Sequence, residues 1–430
     1  MNKNKKLIIG PHDKPKNKGL WALLSLQHVF AMFGATVLVP TLLKIDPAVA
    51  IFTSGLGTII YIICTKAKVP IYLGSSFAYI NASAAALSLG GHGMMASGIL
   101  CGGIVYLIIS TIVRFTGMSW INKLIPPIVI GPMIMIIGLS LANSAITNAG
   151  MLKGQFDPKF VIVALITLLV TALVSIKGKG FFKIIPILCG IVVGYLVSLP
   201  LGLVDTSLFS NLKLFAIPDF QFPGVTYQFN FGMALAFAPI ALVTITEHIG
   251  EHSITSNICD QDFLGKDPGL KNTLLGDGIA KIVAGLIGGP ANTTYGENNG
   301  VIAMTKVASV YVVGLAAIFA MILAFIHPVA VFINSIPSAV MGGISIMLFG
   351  IIASNGVKVL IENKVDFNSS RNLVIAATML VIGLGGAAIV WDSANGGELS
   401  GMGLAAVVGI ILNLILPKDK NFENKDIEID

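Results

Sequence analysis

The sequence predicts an all-α polytopic membrane protein: about 14 transmembrane spans arranged as two inverted repeats of about 7 spans, with short extended stretches in broken spans 3 and 10. Three observations carry this. Of the 430 residues, 55% are hydrophobic and only 11% charged, and the mean hydropathy is +0.88, whereas soluble domains carry about 25% charged residues. The charges cluster, leaving runs of roughly 17 to 25 residues without Lys, Arg, Asp or Glu, the length that crosses a bilayer as a helix. The two halves also carry helix-breaking residues at corresponding places.

In chain order, the first half reads as spans at about 19–43, 47–64, 69–88, 94–113, 125–148, 160–176 and 184–203. The second reads at about 230–256, 272–289, a short 291–305, 308–326, 337–357, 372–390 and 400–416. An even count places both termini on one side. Lys3, Lys5, Lys6, Lys14, Lys16 and Lys18 at the start and Lys418 and Lys420 at the end make that side the cytoplasm. Residues 1–18 then form a cytoplasmic tail, since they lack the apolar core of a signal peptide, and 418–430 form a second. With this orientation the cytoplasmic loops receive Lys66, Lys68, Arg114, Lys123, Lys177, Lys179, Lys183, Lys266, Lys271, Lys306, Lys358, Lys364 and Arg371, and the external loops only Lys44, Lys153, Lys159 and Lys213. The net charge of +6 therefore follows membrane topology and not nucleic-acid binding, which needs a single basic patch. Cys64, Cys101, Cys189 and Cys259 are scattered without a CxxC spacing and read as packing residues.

An odd number of spans separates the halves, so they are oppositely oriented. One shift of the numbering superposes Gln27 and His28 on Glu247 and His248, and Phe77 on Glu297. Span 3 contains Pro70, Gly74, Ser75 and Ser76; span 10 follows Gly288, Gly289 and Pro290 and contains Gly296 and Gly300. Neither suits a continuous helix. Extended stretches are expected near 74–79 and 293–296, where unwound backbone offers amides and carbonyls to a substrate in mid-membrane.

The spans hold few acids: Glu247 and Glu251 in the eighth, Asp277 in the ninth and Glu297 in the tenth. A carboxylate in hydrocarbon costs about 2.5–3.5 kcal/mol on insertion scales, so Glu247 and Glu297 are the leading candidates for function. Glu247 and Glu251 share one helical face, and His248 and His252 the adjoining one. Asp277 has Lys281 one turn away as a structural partner. His28 reads equally as a packed or a functional histidine. His248 to His252 also fits the His-x-x-Glu-His zinc-protease pattern, which makes a membrane metalloprotease the enzyme alternative, but no distal third ligand is identifiable.

The stretch Glu297 to Lys306, ENNGVIAMTK, resembles the signature of the nucleobase/ascorbate transporter family. Gln27 to Pro40, Gly74 to Tyr79, Thr246 to Gly250 and Asn292 to Asn298 are similar, in order and spacing, to its uracil-carrying branch. The likeness covers nearly the whole chain. It implies a core domain of spans 1–4 and 8–11 (19–113 and 230–330) and a gate domain of spans 5–7 and 12–14 (114–204 and 331–417), with an external loop at 205–229. It also implies proton-coupled uptake of uracil through the cell membrane, dimers, and no cofactor or metal. Carried over by position, Glu247 and Glu297 would hold the base, Phe77, Tyr295 and Gly296 would line its site, and Ala35 would lie nearby. Two positions depart. Asn299 resembles the xanthine branch, leaving xanthine or another purine as the alternative substrate, and Glu251 stands where some uracil carriers have His.

Uracil alternates N–H donors and carbonyl acceptors around a flat ring, so two carboxyls and two backbone amides could pair with every edge while Phe77 covers a face. Glu247, with Glu251 and His248 beside it, is the expected proton carrier, because two carboxyls one turn apart in a low-dielectric cavity cannot both ionise cheaply.

Overall fold

The computed structural model describes residues 7–210, 212–230, 234–265, 267–392 and 397–417; Lys3, Lys5, Lys6, Lys266, Lys418 and Lys420, used above for orientation, lie outside them. The chain runs through α1 (Lys18–Leu43), α2 (Pro47–Cys64), β1 (Leu73–Ser75), a 3-10 turn (Phe77–Tyr79), α3 (Ile80–Thr116), α4 (Ser119–Leu124), α5 (Pro127–Ser140), α6 (Ala142–Asn148), α7 (Pro158–Lys177) and α8 (Pro186–Ser198). After residue 205 and a further 3-10 turn come α9 (Ala234–Cys259), α10 (Gly269–Leu286), β2 (Asn292–Thr294), α11 (Gly296–Thr305), α12 (Val310–Ala324), α13 (His327–Asn334) and α14 (Ser338–Glu362). The chain ends in α15 (Ser370–Leu384), β3 (Ala388–Asp392), β4 (Gly397–Ser400) and α16 (Gly401–Ile415). Among the described residues, 7 helices are long and apolar enough to cross a membrane, and α8, α12, α15 and α16 are shorter apolar helices. The molecule is thus a mostly helical membrane protein.

Local chemistry sets the helix starts. Asn17 accepts from the Gly19 and Leu20 amides at the head of α1, and Asp46 and Asp157 cap α2 and α7, each ahead of a proline in the first turn. Along α7 the residues Ile162, Leu165, Leu169, Leu173 and Ile176 are all exposed. Such an apolar stripe is unstable against water but matches lipid tails.

Spans 3 and 4 are two helical segments within α3, parted at Gly90 and Gly91, where Gly91 takes a φ of 68° that favours glycine. One expectation needs correction. The thirteenth span does not reach residue 390 as a helix, because α15 stops before Gly385 and Gly386 and the chain turns into the β3–β4 hairpin.

The two broken segments meet. β1 and β2 pair antiparallel, Leu73 opposite Thr294, Gly74 opposite Thr293 and Ser75 opposite Asn292. The pairing is extended by Tyr295 N–H to the Tyr72 carbonyl at 3.0 Å and Ser76 N–H to the Ala291 carbonyl at 2.8 Å. Unwound backbone in a membrane interior is tolerable only when its polar groups are paired in this way. Thr58 Oγ1 accepts from the Leu73 amide at 2.9 Å, and Asn292 Nδ2 donates to the Thr53 carbonyl at 2.9 Å, so α2 holds both strands. The shift that superposes Phe77 on Glu297 converts the Leu73–Thr294 pair into Thr293–Gly74, which is also a pair.

Helix contacts repeat the same correspondence. α2 packs on α10 and α12, α3 on α10 and α9, and α1 on α12. Elsewhere α14 packs on α5 and α7, α15 on α5 and α16, and α7 on α8. Smaller contacts of α9 with α16 and of α1 with α8 join the two sets.

Candidate functional site

The site is assembled around α9, whose two faces do different work. On one, His248 Nδ1 donates to Asp277 Oδ2 at 2.9 Å, and Lys281 Nζ donates to Asp277 Oδ1 at 2.7 Å. The ammonium also lies 3.8 Å from the Tyr106 ring centre, a cation–π contact. His252 Nδ1 lies 2.6 Å from the His248 carbonyl, which only accepts, so this nitrogen carries the hydrogen. Its Nε2 meets the Tyr61 hydroxyl over 2.5 Å. His248, His252, Asp277 and Lys281 are all 0% exposed. Asp277 thus meets the partner that the sequence suggested, and His248 sits in this buried network on α10's side of the helix.

That network also bears on the protease motif. The two imidazoles stack with centroids 3.9 Å apart, and their nitrogens are engaged by Asp277, a backbone carbonyl and Tyr61, leaving only His248 Nε2 unpaired. Two rings held face to face do not converge on one tetrahedral ion.

The other face carries Glu247 and Glu251, one turn apart, and Glu251 meets α11. Glu251 Oε2 accepts from Asn299 Nδ2 at 2.7 Å. A Cβ at Gly296 would lie 2.8 Å from Glu251 Oε1, so the missing side chain makes room for the carboxylate. Glu297 stands in the first turn of α11, directly after Gly296. The structure thereby brings Glu251 of α9 against Gly296 at the head of α11, the turn that carries Glu297.

Tyr295, the residue before α11, donates from its hydroxyl to the Ser75 carbonyl at 3.1 Å and accepts from Thr36 Oγ1 at 3.2 Å. Its ring fills the space where a Gly74 Cβ would be, 2.3 Å from the nearest ring carbon. Ala35 is buried in the same apolar cluster as Tyr295, and Phe77 packs against that cluster half-buried. Next to these residues the hydroxyls of Ser75, Ser76, Thr293 and Thr294 are buried and have no partner among the described residues, a capacity suited to water or a polar ligand. His28 is a packed, bonded histidine: its Nδ1 and its carbonyl accept from Asn298 Nδ2 at 3.1 and 3.2 Å.

Two cavities border the site. One of about 120 Å³ is lined by Phe77, Asn81, Glu398 and Ser400 among others, and a second of about 190 Å³ by Glu297, Gly300, Phe30 and Lys183 among others. Phe77 and Glu297, superposed by the internal shift, therefore face different cavities. Sequence reasoning missed Glu398, Asn81 and the contact of Asn299 with Glu251. The Asn-Gly step at 395–396 between apolar runs was a readable hairpin signal for the first; nothing local announces the other two.

The family described as the Permease family (Xan_ur_permease) matches residues 19–390. The chain is 46% identical over 425 residues to a protein named uracil permease from Bacillus subtilis (strain 168), covering 97% of each chain. It is 44% identical over 395 residues to a uracil permease of Escherichia coli (strain K12), covering 91% of this chain and 90% of the other. Among solved structures, the transmembrane domain of a cyanobacterium bicarbonate transporter, BicA, shares its fold with a TM-score of 0.61 at 14% identity, over 93% of this chain and 98% of that one. SLC26A9 does so with a TM-score of 0.67 at 12% identity, over 94% and 66%.

Proposed function

This chain belongs to the Permease family that matches its residues 19–390, and from that premise we propose that it is a uracil permease that carries the base across the cell membrane together with a proton. It is a transporter and not an enzyme. The observation that carries the substrate is identity of 46% to a uracil permease over 97% of both chains, joined to a site whose groups suit the base. Glu247 and Glu297 offer carboxyls that pair with adjacent N–H and C=O groups of uracil, Phe77 offers a ring face, and Tyr295 and Gly296 shape the wall at the end of β2. Asn299, the residue that resembles the xanthine branch, bonds to Glu251 and Thr255, and xanthine or another purine is the alternative substrate that the uptake competition below decides.

The finer architecture belongs to the same proposal. About 14 spans form two inverted repeats of about 7; the strand register that maps onto itself and the matching helix contacts support this. α1–α3 and α9–α12 form the core that holds the site, and α5–α8 and α14–α16 the gate. Glu247, with Glu251 and His248 near it, carries the proton, and the cavities lined by Phe77 and by Glu297 border the site. The homodimer and the cytoplasmic termini rest on the family resemblance and on the loop charges.

Labelled uracil uptake in permease-deficient cells tests this. Uptake should appear with the gene, resist competition by xanthine and collapse with a proton uncoupler. Uptake blocked by xanthine would replace the substrate, and indifference to the uncoupler would remove the proton.

A further inference from the structure

Asn299 lies two positions after Glu297 on α11, yet its side chain works on α9. Its Nδ2 donates to Glu251 Oε2 at 2.7 Å and stands 3.3 Å from the Glu251 carbonyl. Its Oδ1 stands 3.0 Å from Thr255 Oγ1, whose hydrogen is shared with the Glu251 carbonyl at 2.8 Å. A backbone carbonyl only accepts, so the NH₂ group must be the end that faces Glu251. The carboxamide is 3% exposed, and both its ends are used.

Among the described residues Glu251 has no basic partner. Its acidic neighbours are Glu247, one turn earlier on α9, and Glu297, next to the Gly296 that its Oε1 approaches. Asp277 and Lys281 of α10 and Tyr106 of α3 gather instead around His248 on the other face of α9. With acids as its charged neighbours, Glu251 is held by a neutral amide and by the space over Gly296. An N–H donor also selects which oxygen keeps its lone pairs: Oε2 accepts from Asn299, so an exchangeable proton on Glu251 resides on Oε1, beside Gly296 at the start of the Glu297 helix.

We infer that Asn299 is a positioning residue for proton coupling: through Glu251 it clamps α9, which carries Glu247, to α11, which carries Glu297, and it directs the Glu251 proton to Oε1. This rests on the reading of Glu247 and Glu251 as the proton carriers. Without the clamp the carboxylate is free to turn, and proton movement is no longer tied to the base.

The test uses the full chain in proteoliposomes, comparing uracil counterflow, which needs no net proton movement, with uptake driven by an inward proton gradient, across pH 5 to 9. Asn299→Leu should lower gradient-driven uptake by about tenfold or more, as expected for loss of a bond to a charged group, and change the shape of the pH profile, with counterflow within about threefold of the parent by the same scale. Thr255→Val, which leaves Glu251 and Asn299 in place but frees the amide to rotate, should move the profile in the same sense by less and serves if Asn299→Leu fails to insert. Adding Asn299→Leu to Glu251→Gln should cost no more than Glu251→Gln alone. Unchanged gradient-driven uptake and pH profile in Asn299→Leu, or equal loss of counterflow and gradient-driven uptake with additive effects in the double variant, overturns the inference. A parent protein whose uptake ignores the gradient overturns the coupling reading itself.

Discussion

Lys281 Nζ donates to Asp277 Oδ1 across 2.7 Å with both side chains wholly buried. The other oxygen of that carboxylate receives His248 Nδ1, so a single buried ion pair orients the residue next to Glu247. A charge stripped of its partner in such a place is far costlier than the pair.

Lys281→Met should therefore destabilise the protein by about 3–5 kcal/mol, and Lys281→Met with Asp277→Leu by clearly less. Apparent melting temperatures in detergent, measured on both variants, check the order. A single variant as stable as the parent would show that the pair does not hold α9.

Glu247→Gln and Glu297→Gln should each weaken uracil binding about tenfold to hundredfold while the protein still inserts, since losing a buried partner costs about 1–3 kcal/mol and more if charged. Equilibrium binding of labelled uracil decides. Near-parental affinity in both variants moves the site elsewhere.

Gly74→Ala places a Cβ within 2.3 Å of the Tyr295 ring, a clash that must displace the ring or part β1 from β2. Uracil uptake should be lost or fall by at least about tenfold, on the scale of one lost buried contact. Gly250→Ala is the control, because nothing lies within 4 Å of its Cβ position and the residue is exposed on α9. Equal uptake by the two variants would show that the close approach of Tyr295 to Gly74 is unimportant.

Single cysteines at Asp205 and at Lys179 should label from opposite sides of the membrane in intact cells, as α8 lies between them. Labelling of both by an impermeant reagent from outside contradicts the orientation drawn from the loop charges.

The sequence by itself determined the membrane class, the approximate limits of the apolar segments, the places where helices break and the acids worth following. Each of these is a local penalty: charge or unpaired backbone in hydrocarbon is costly wherever the chain folds, so Gly74, Gly296, Glu247 and Glu297 stand out in one dimension. Only the tertiary structure decided which residues meet. The register of Leu73 with Thr294, the engagement of His248 by Asp277, the grip of Asn299 on Glu251 and the packing of Tyr295 over Gly74 all join residues far apart in the chain or on different elements. Such contacts depend on how helices pack against one another, and a hydropathy pattern records which face of a helix is apolar but not which neighbour it finds.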